Sequence, residues 1–251
     1  MNVLSLGIFI GLTLAYTFFD FILVRAYSRE LWNDPIATKK KRSGIKMFLY
    51  VALVATVIGS QIWINSATSN CDKVPLFSII IHTIIPNLVI FVLMIGLMEM
   101  FPAFLEPFSN FIGYGVARVM GVNKILLDIL QPEGTNQDVN KIYTDKSMMV
   151  NELNENNFKS ILESFDKDKI LLPGKINDEK LIRKLYNIVA IKNSISRLLW
   201  FLLLGSLVVM ISSNAIAKIE CVVSIDADKK KKMREDTEKL SAERNKKFKN
   251  F

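Results

Sequence analysis

Four stretches of the chain stay apolar for the length a helix needs to cross a bilayer. They are Val3 to Val24, Met47 to Ile64, Leu76 to Met98 and Leu198 to Ala217, each close to the roughly 20 residues that cover about 30 Å of hydrocarbon. In that solvent a segment must satisfy its own backbone polar groups, which restricts such a chain to membrane helices. Composition agrees, with 51% of the 251 residues apolar. The expected fold class is therefore an all-α integral membrane protein with four transmembrane helices. Pro86 interrupts the third stretch, where neighbouring helices can satisfy the carbonyl it frees. The first stretch lacks a basic leader and is followed at once by Arg25 and Arg29, so it reads as a retained anchor and not as a cleaved signal.

Charge sets the expected orientation. The connection between the first two stretches holds Arg25, Arg29, Lys39, Lys40, Lys41, Arg42 and Lys46 against Glu30 and Asp34, and short loops with such a basic excess stay cytosolic. Four crossings then place residues 101–197 on the cytosolic side and both chain ends opposite. The basic tail, with Lys229, Lys230, Lys231 and Lys232 in a row, pulls against this, although Asp226, Asp228, Glu235, Asp236, Glu238 and Glu243 dilute it. Cys71 and Cys221 fall on the non-cytosolic side at similar depth, where an oxidising compartment would permit a disulfide. Two unpaired thiols are the equal alternative.

Within the spans, Asp20, His82 and Asn87 are the polar groups of note, and an ionisable residue at such depth is a functional hypothesis by default. Asp20 lies near the cytosolic end of its helix and His82 near the opposite end of its own, about 15 Å apart in depth. They do not make a proton-relay pair, and interhelical hydrogen bonding is the expected use of His82 and Asn87. Gly7, Gly11 and Ala15 recur every four residues on the first span, as do Ala55 and Gly59 on the second. Small residues at this spacing let helix backbones approach closely, within the chain or between copies.

Residues 101–130 are too apolar for a surface loop and too broken by Pro102, Pro107 and charge for a span. Placed on one helix, residues 108–130 gather Asn110, Arg118, Lys124 and Asp128 in one sector, with Ile112, Val116, Val119, Leu126, Leu127 and Leu130 opposite. This predicts an amphipathic helix lying in the headgroup boundary, or else packed on the polar segment that follows. The string "PFSNFIGYGVARVMGV", Pro107 to Val122, resembles a segment of multi-span membrane proteins of nucleocytoplasmic large DNA viruses. Pro107, Phe108, Ser109, Asn110, Gly113 and Tyr114 carry the resemblance, while Phe111 stands where the pattern has threonine. The resemblance implies a virion protein in or beside the internal membrane beneath an icosahedral capsid, with capsid or minor-capsid proteins as partners.

Residues 131–196 turn polar, opening with the loop "QPEGTNQD". Asn154 can cap a helix reaching Phe165, and Asn177 or Asp178 a second helix that has no breaker before the fourth span. At about 65 residues this segment buries little by itself and must lean on the membrane helices or on a partner. The string from Asp166 lacks a calcium loop's glycine, with Ile170 at a ligand position, and Gly174–Lys175 lacks the rest of a phosphate loop. One histidine and two distant cysteines make no zinc site. No catalytic constellation is legible, and no enzyme, cofactor or small-molecule substrate is expected.

The expected organisation is thus a three-helix membrane region over 1–100, an interfacial amphipathic helix over 101–130, a small polar helical segment over 131–196, a fourth transmembrane helix over 197–218 and a charged basic tail over 219–251. Lys39, Lys40, Lys41 and Arg42, together with Lys229 to Lys232, are the residues expected to meet anionic lipid or an acidic partner. Nucleic acid is a poor fit, because the tail offers no stacking surface. The function expected is that of a non-enzymatic structural membrane protein linking an internal membrane to a shell. The alternatives are an oligomeric channel or transporter using His82 and Pro86, and a membrane-remodelling assembly factor.

Overall fold

A computed structural model of the chain describes residues 3–28, 35–68 and 76–248. Among them the chain is helical, with a lone antiparallel bridge between Leu130 and Leu171. Helices α1 (Val3–Tyr27), α2 (Pro35–Ala67) and α3 (Leu76–Met100) run up, down and up. A 3-10 turn (Pro102–Leu105), a short helix α4 (Glu106–Phe108), a π turn (Ser109–Gly113) and helices α5 (Tyr114–Val119) and α6 (Val122–Ile129) then lead to α7 (Gln137–Thr144), α8 (Ser147–Glu152) and α9 (Phe158–Lys167). After a second 3-10 turn (Lys175–Asn177), helix α10 (Glu179–Phe248) continues unbroken for 70 residues, about 105 Å at 1.5 Å per residue. Asp178 starts it by accepting the Leu181 amide at 3.1 Å, and nothing interrupts it before the fourth span, as the sequence predicts.

Four helices are long and apolar enough to cross a membrane: Val3–Ala26, Lys41–Ala67, Leu76–Met98 and the Glu179–Lys218 part of α10. Their packing has the polarity that lipid demands. Thr13, Gln61, Thr83, Asn87 and Ser212 are buried, while Phe18, Phe48, Trp63, Phe77 and Val92 are more than half exposed. Turning apolar rings outward and polar groups inward is unfavourable in water and favourable in hydrocarbon. The interior is filled by rings: Tyr16 and Tyr50 meet Phe201, Tyr50 also meets Phe91, and its hydroxyl donates to the Phe91 carbonyl at 2.6 Å, joining α2 to α3. Gly205 lets Phe9 press against α10, since a Cβ there would lie 2.1 Å from the ring.

The polar segment builds a second core on the first part of α10. Val122, Leu126, Ile129, Val139, Val150 and Leu162 pack around Ile182, Leu185 and Val189, and Val24 at the end of α1 joins them. Apolar residues of α6 and Val24 of α1 thus complete a core that the segment is too small to fill alone. The segment caps the same end of the bundle that carries Arg42 and Lys46, consistent with the shared side expected for the first loop and residues 101–197.

The single amphipathic helix expected over residues 108–130 is divided in two. Gly121, at φ +88°, turns the chain between α5 and α6, in the left-handed region that glycine enters without strain. The helical wheel drawn across that turn loses its meaning. Leu126 and Leu130 are buried against the polar segment, the alternative to a lipid-facing side, while Val119 and Leu127 are exposed.

Candidate functional site

Asn154 does not cap α9, whose N-cap is Asn157. It folds the loop ahead of it: the Asn154 side chain accepts the amides of Asn156 and Asn157 at 2.9 and 3.0 Å, and Asn157 accepts the Asn154 amide at 2.7 Å while donating to the Glu152 carbonyl at 2.8 Å. These side-chain bonds close the turn with no need of secondary structure, and Glu155 projects from it into the end of the bundle.

There it meets three cations. Arg42 Nη2 donates to Glu155 Oε2 at 2.6 Å, Lys46 Nζ approaches the same oxygen at 3.4 Å, and Arg197 Nη2 donates to Oε1 at 3.0 Å. Asp20 is the second anion of the cluster. Its Oδ1 forms an ion pair with Lys46 at 2.9 Å, and its Oδ2 accepts from Arg197 at 3.3 Å and from the Ser194 hydroxyl at 2.7 Å. Arg42 also donates to the Tyr186 hydroxyl at 2.7 Å. One connected network thus joins α1, α2, α10 and the loop between α8 and α9. Burial pushes the Glu155 carboxyl up, but Lys46, Arg197 and Arg42 outweigh it and hold the group well below the usual carboxylate range.

Residues 104–113 sit beside this cluster and are fastened to α10. Ser109 donates to Asn193 Oδ1 at 2.9 Å, Ser196 to the Leu105 carbonyl at 2.6 Å and Trp200 Nε1 to the Phe104 carbonyl at 3.0 Å, with the Phe104 and Trp200 rings stacked at 4.2 Å. Gly113 in the π turn lies so close to α10 that a Cβ would stand 2.6 Å from the Lys192 carbonyl oxygen. Lys192, fully buried, donates to the Val150 carbonyl at 2.8 Å. Of the other residues expected in an interfacial helix, Pro107 is exposed, Phe108 packs edge-on to Trp200, Asn110 is half-buried and Tyr114 reaches Asn123 at 3.4 Å. Arg118 and Lys124 flank the Gly121 turn on α5 and α6.

Several other sequence expectations change. Arg42, expected at lipid or a partner, is buried in the ion-pair network. Lys41 is exposed, Lys229 to Lys232 are exposed on α10, and the side chains of Lys39 and Lys40 lie outside the described residues. Asn87 does bond between helices, donating to Gln61 Oε1 on α2 at 3.1 Å. His82 instead contacts the Ser78 carbonyl of its own helix at 2.8 Å. Gly7, Gly11, Ala15, Ala55 and Gly59 are exposed, and Cβ atoms at Gly7, Gly11 and Gly59 would meet nothing within 4 Å, so these small residues do not set the packing inside the chain. Cys71 and the Cys221 side chain fall outside the described residues. Among those described, no group of three or more histidine, cysteine or acidic residues is arranged to hold a metal.

The fold defines a class, an all-helical protein with four helices long and apolar enough to cross a membrane and a helical cap packed on one end. No protein-family model matches the chain, and no curated protein or solved structure is significantly similar to it.

Proposed function

We propose that the chain is a non-enzymatic structural membrane protein, a rigid anchor that holds a helical cap on one face of a bilayer and extends a charged helix from the other. The ion-pair network of Asp20, Lys46, Arg197, Glu155 and Arg42 carries this reading. It fastens α1, α2, α10 and the loop between α8 and α9 together, and a joint of that kind suits load transfer between membrane and cap. The tail adds a second attachment, since residues 229–239 of α10 are exposed on all sides and rich in lysine, suited to an acidic protein surface or anionic headgroups. Taken with the resemblance at Pro107 to Val122, the setting we propose is the internal membrane of a large DNA virus, with capsid or minor-capsid proteins as partners. The channel alternative has less support, because His82 bonds within its own helix.

Crosslinking from the tail of the membrane-embedded protein, followed by mass spectrometry of purified virus particles, tests the reading. Crosslinks to shell proteins are the expected result. A protein present in infected membranes and missing from particles would turn the reading toward an assembly factor.

A further inference from the structure

A cavity of about 720 Å³ opens beside the ion-pair network. Its wall changes character with depth. Arg42, Lys46 and Arg197 face it at the capped end with the asparagine-rich loop, while Tyr50, Ile95 and Phe201 line it toward the middle of the bundle. From Arg42 to Tyr50 along α2 is about 12 Å, so one continuous wall passes from the headgroup level into hydrocarbon depth.

The charges around it do not balance. Away from the rim, where Glu106, Glu152 and Lys159 are exposed, four cations, Arg42, Lys46, Lys192 and Arg197, line it with Glu155, and Asp20 stands behind as a second carboxylate. An unmatched positive charge out of water is unfavourable until an anion meets it. One polar atom reinforces the point: Arg42, 5% exposed, has its Nε buried with no hydrogen-bond partner among the described residues.

We propose that this cavity binds the phosphate headgroup of an anionic phospholipid, with the Arg42, Lys46 and Arg197 end taking the phosphate and an acyl chain lying along Tyr50, Ile95 and Phe201. A phosphodiester supplies negative charge that the inner wall lacks and strong acceptors for a guanidinium edge. Basic pockets at the ends of membrane helices recognise headgroups on these terms. The apolar wall favours a lipid over a free phosphate ion, which would leave that half of the cavity without a partner. This site goes beyond the anchor reading and does not depend on it: a structural protein and a transporter could each carry it.

The test uses the full chain purified in detergent, with melting temperature read after adding mixed micelles of phosphatidylglycerol, of phosphatidylcholine, or inorganic phosphate. Phosphatidylglycerol is expected to stabilise the wild type well beyond phosphatidylcholine and to bind about tenfold more tightly, with inorganic phosphate having little effect. Native mass spectrometry should retain one phosphatidylglycerol per chain. Because Arg42 also holds Glu155, Arg42→Gln weakens the fold whatever binds, so the decisive variant is Ile95→Trp, which fills the apolar half and leaves the cations in place. It is expected to abolish the preference for phosphatidylglycerol. Equal stabilisation by both lipids, a preference that survives Ile95→Trp, or stabilisation by inorganic phosphate that matches the lipid would each overturn the proposal.

Discussion

Arg42 and Glu155 stand 2.6 Å apart although 113 residues separate them in the chain, one at the start of a membrane helix and the other at the tip of an asparagine-built turn. Their pairing explains how a cap of modest size holds its place on the bundle. Arg42, Lys46 and Arg197 would each be unfavourable at this depth alone, and Glu155 converts them into a joint.

Removing that carboxylate should therefore be severe. Glu155→Ala leaves Arg42, Lys46 and Arg197 facing one another with only Asp20 in opposition, and losing one partner of a buried ion pair costs about 3–5 kcal/mol. The exposed Asp138–Lys141 pair is the control, where Asp138→Ala should change stability by about 0.5 kcal/mol or less. Thermal unfolding of both variants in detergent checks the contrast. Equal effects would mean that the network carries no special share of the stability.

Acid should loosen the same joint. The folded protein holds Glu155 below its ordinary value of 4.5, so the unfolded chain takes up the proton first as pH falls. The stabilisation is complete above about pH 4.5 and is lost progressively as pH drops below it toward the lowered folded value. Melting temperature followed from pH 7 to pH 3 should fall more steeply for the wild type than for Glu155→Gln, which has no carboxylate to protonate. Parallel curves would remove Glu155 from the account.

The membrane architecture was legible in the sequence because hydrophobic length is a local property. Val3 to Val24 and its three counterparts announce themselves without reference to anything else in the chain, and Asp178 at the head of an uninterrupted pattern announces α10. The ion-pair network was not legible, because Asp20, Arg42, Glu155 and Arg197 acquire meaning only from one another across long sequence separations. A trace of Glu155 exists in "NELNENN", where Asn154 and Asn157 at a three-residue spacing encode the reciprocal turn seen between them. The divided helix at Gly121 was hidden for a different reason. Periodicity assumes a straight axis, and one glycine in a left-handed conformation resets the phase.

Gly113 and Gly59 should respond oppositely to the same substitution. At Gly113 a methyl group would lie 2.6 Å from the Lys192 carbonyl oxygen, a backbone atom that cannot swing away, and forced overpacking of this kind costs about 1–3 kcal/mol. At Gly59 the added Cβ meets open space, and the lost backbone freedom of the unfolded chain makes alanine neutral or stabilising by up to about 1 kcal/mol. Melting curves of Gly113→Ala and Gly59→Ala separate the two. A destabilised Gly59→Ala would reveal a neighbour against that face, such as a second copy of the chain.

Between α2 and α3, the Asn87–Gln61 bond should matter more than His82. Asn87→Leu removes an interhelical hydrogen bond and leaves Gln61 Oε1 without it, at about 0.6–1.7 kcal/mol for bonds of this type in membranes. His82→Ala removes only a contact to the Ser78 carbonyl within the same helix and should leave stability nearly unchanged. Unfolding measurements on both variants decide the order, and ion flux through reconstituted protein that vanished on His82→Ala would restore the channel alternative.

Helix α10 sets the final expectation, since one continuous helix carries both the cap contacts near Ile182 and the charged residues beyond Lys229. If its apolar middle crosses the bilayer, the cap and the tail must face different compartments. Single cysteines introduced at Glu163 and at Lys239, both exposed, in a background carrying Cys71→Ser and Cys221→Ser, should react with an impermeant maleimide from opposite sides of sealed vesicles. Labelling of both from one side would mean that α10 does not cross, and the chain would then span the membrane three times with its tail beside the cap.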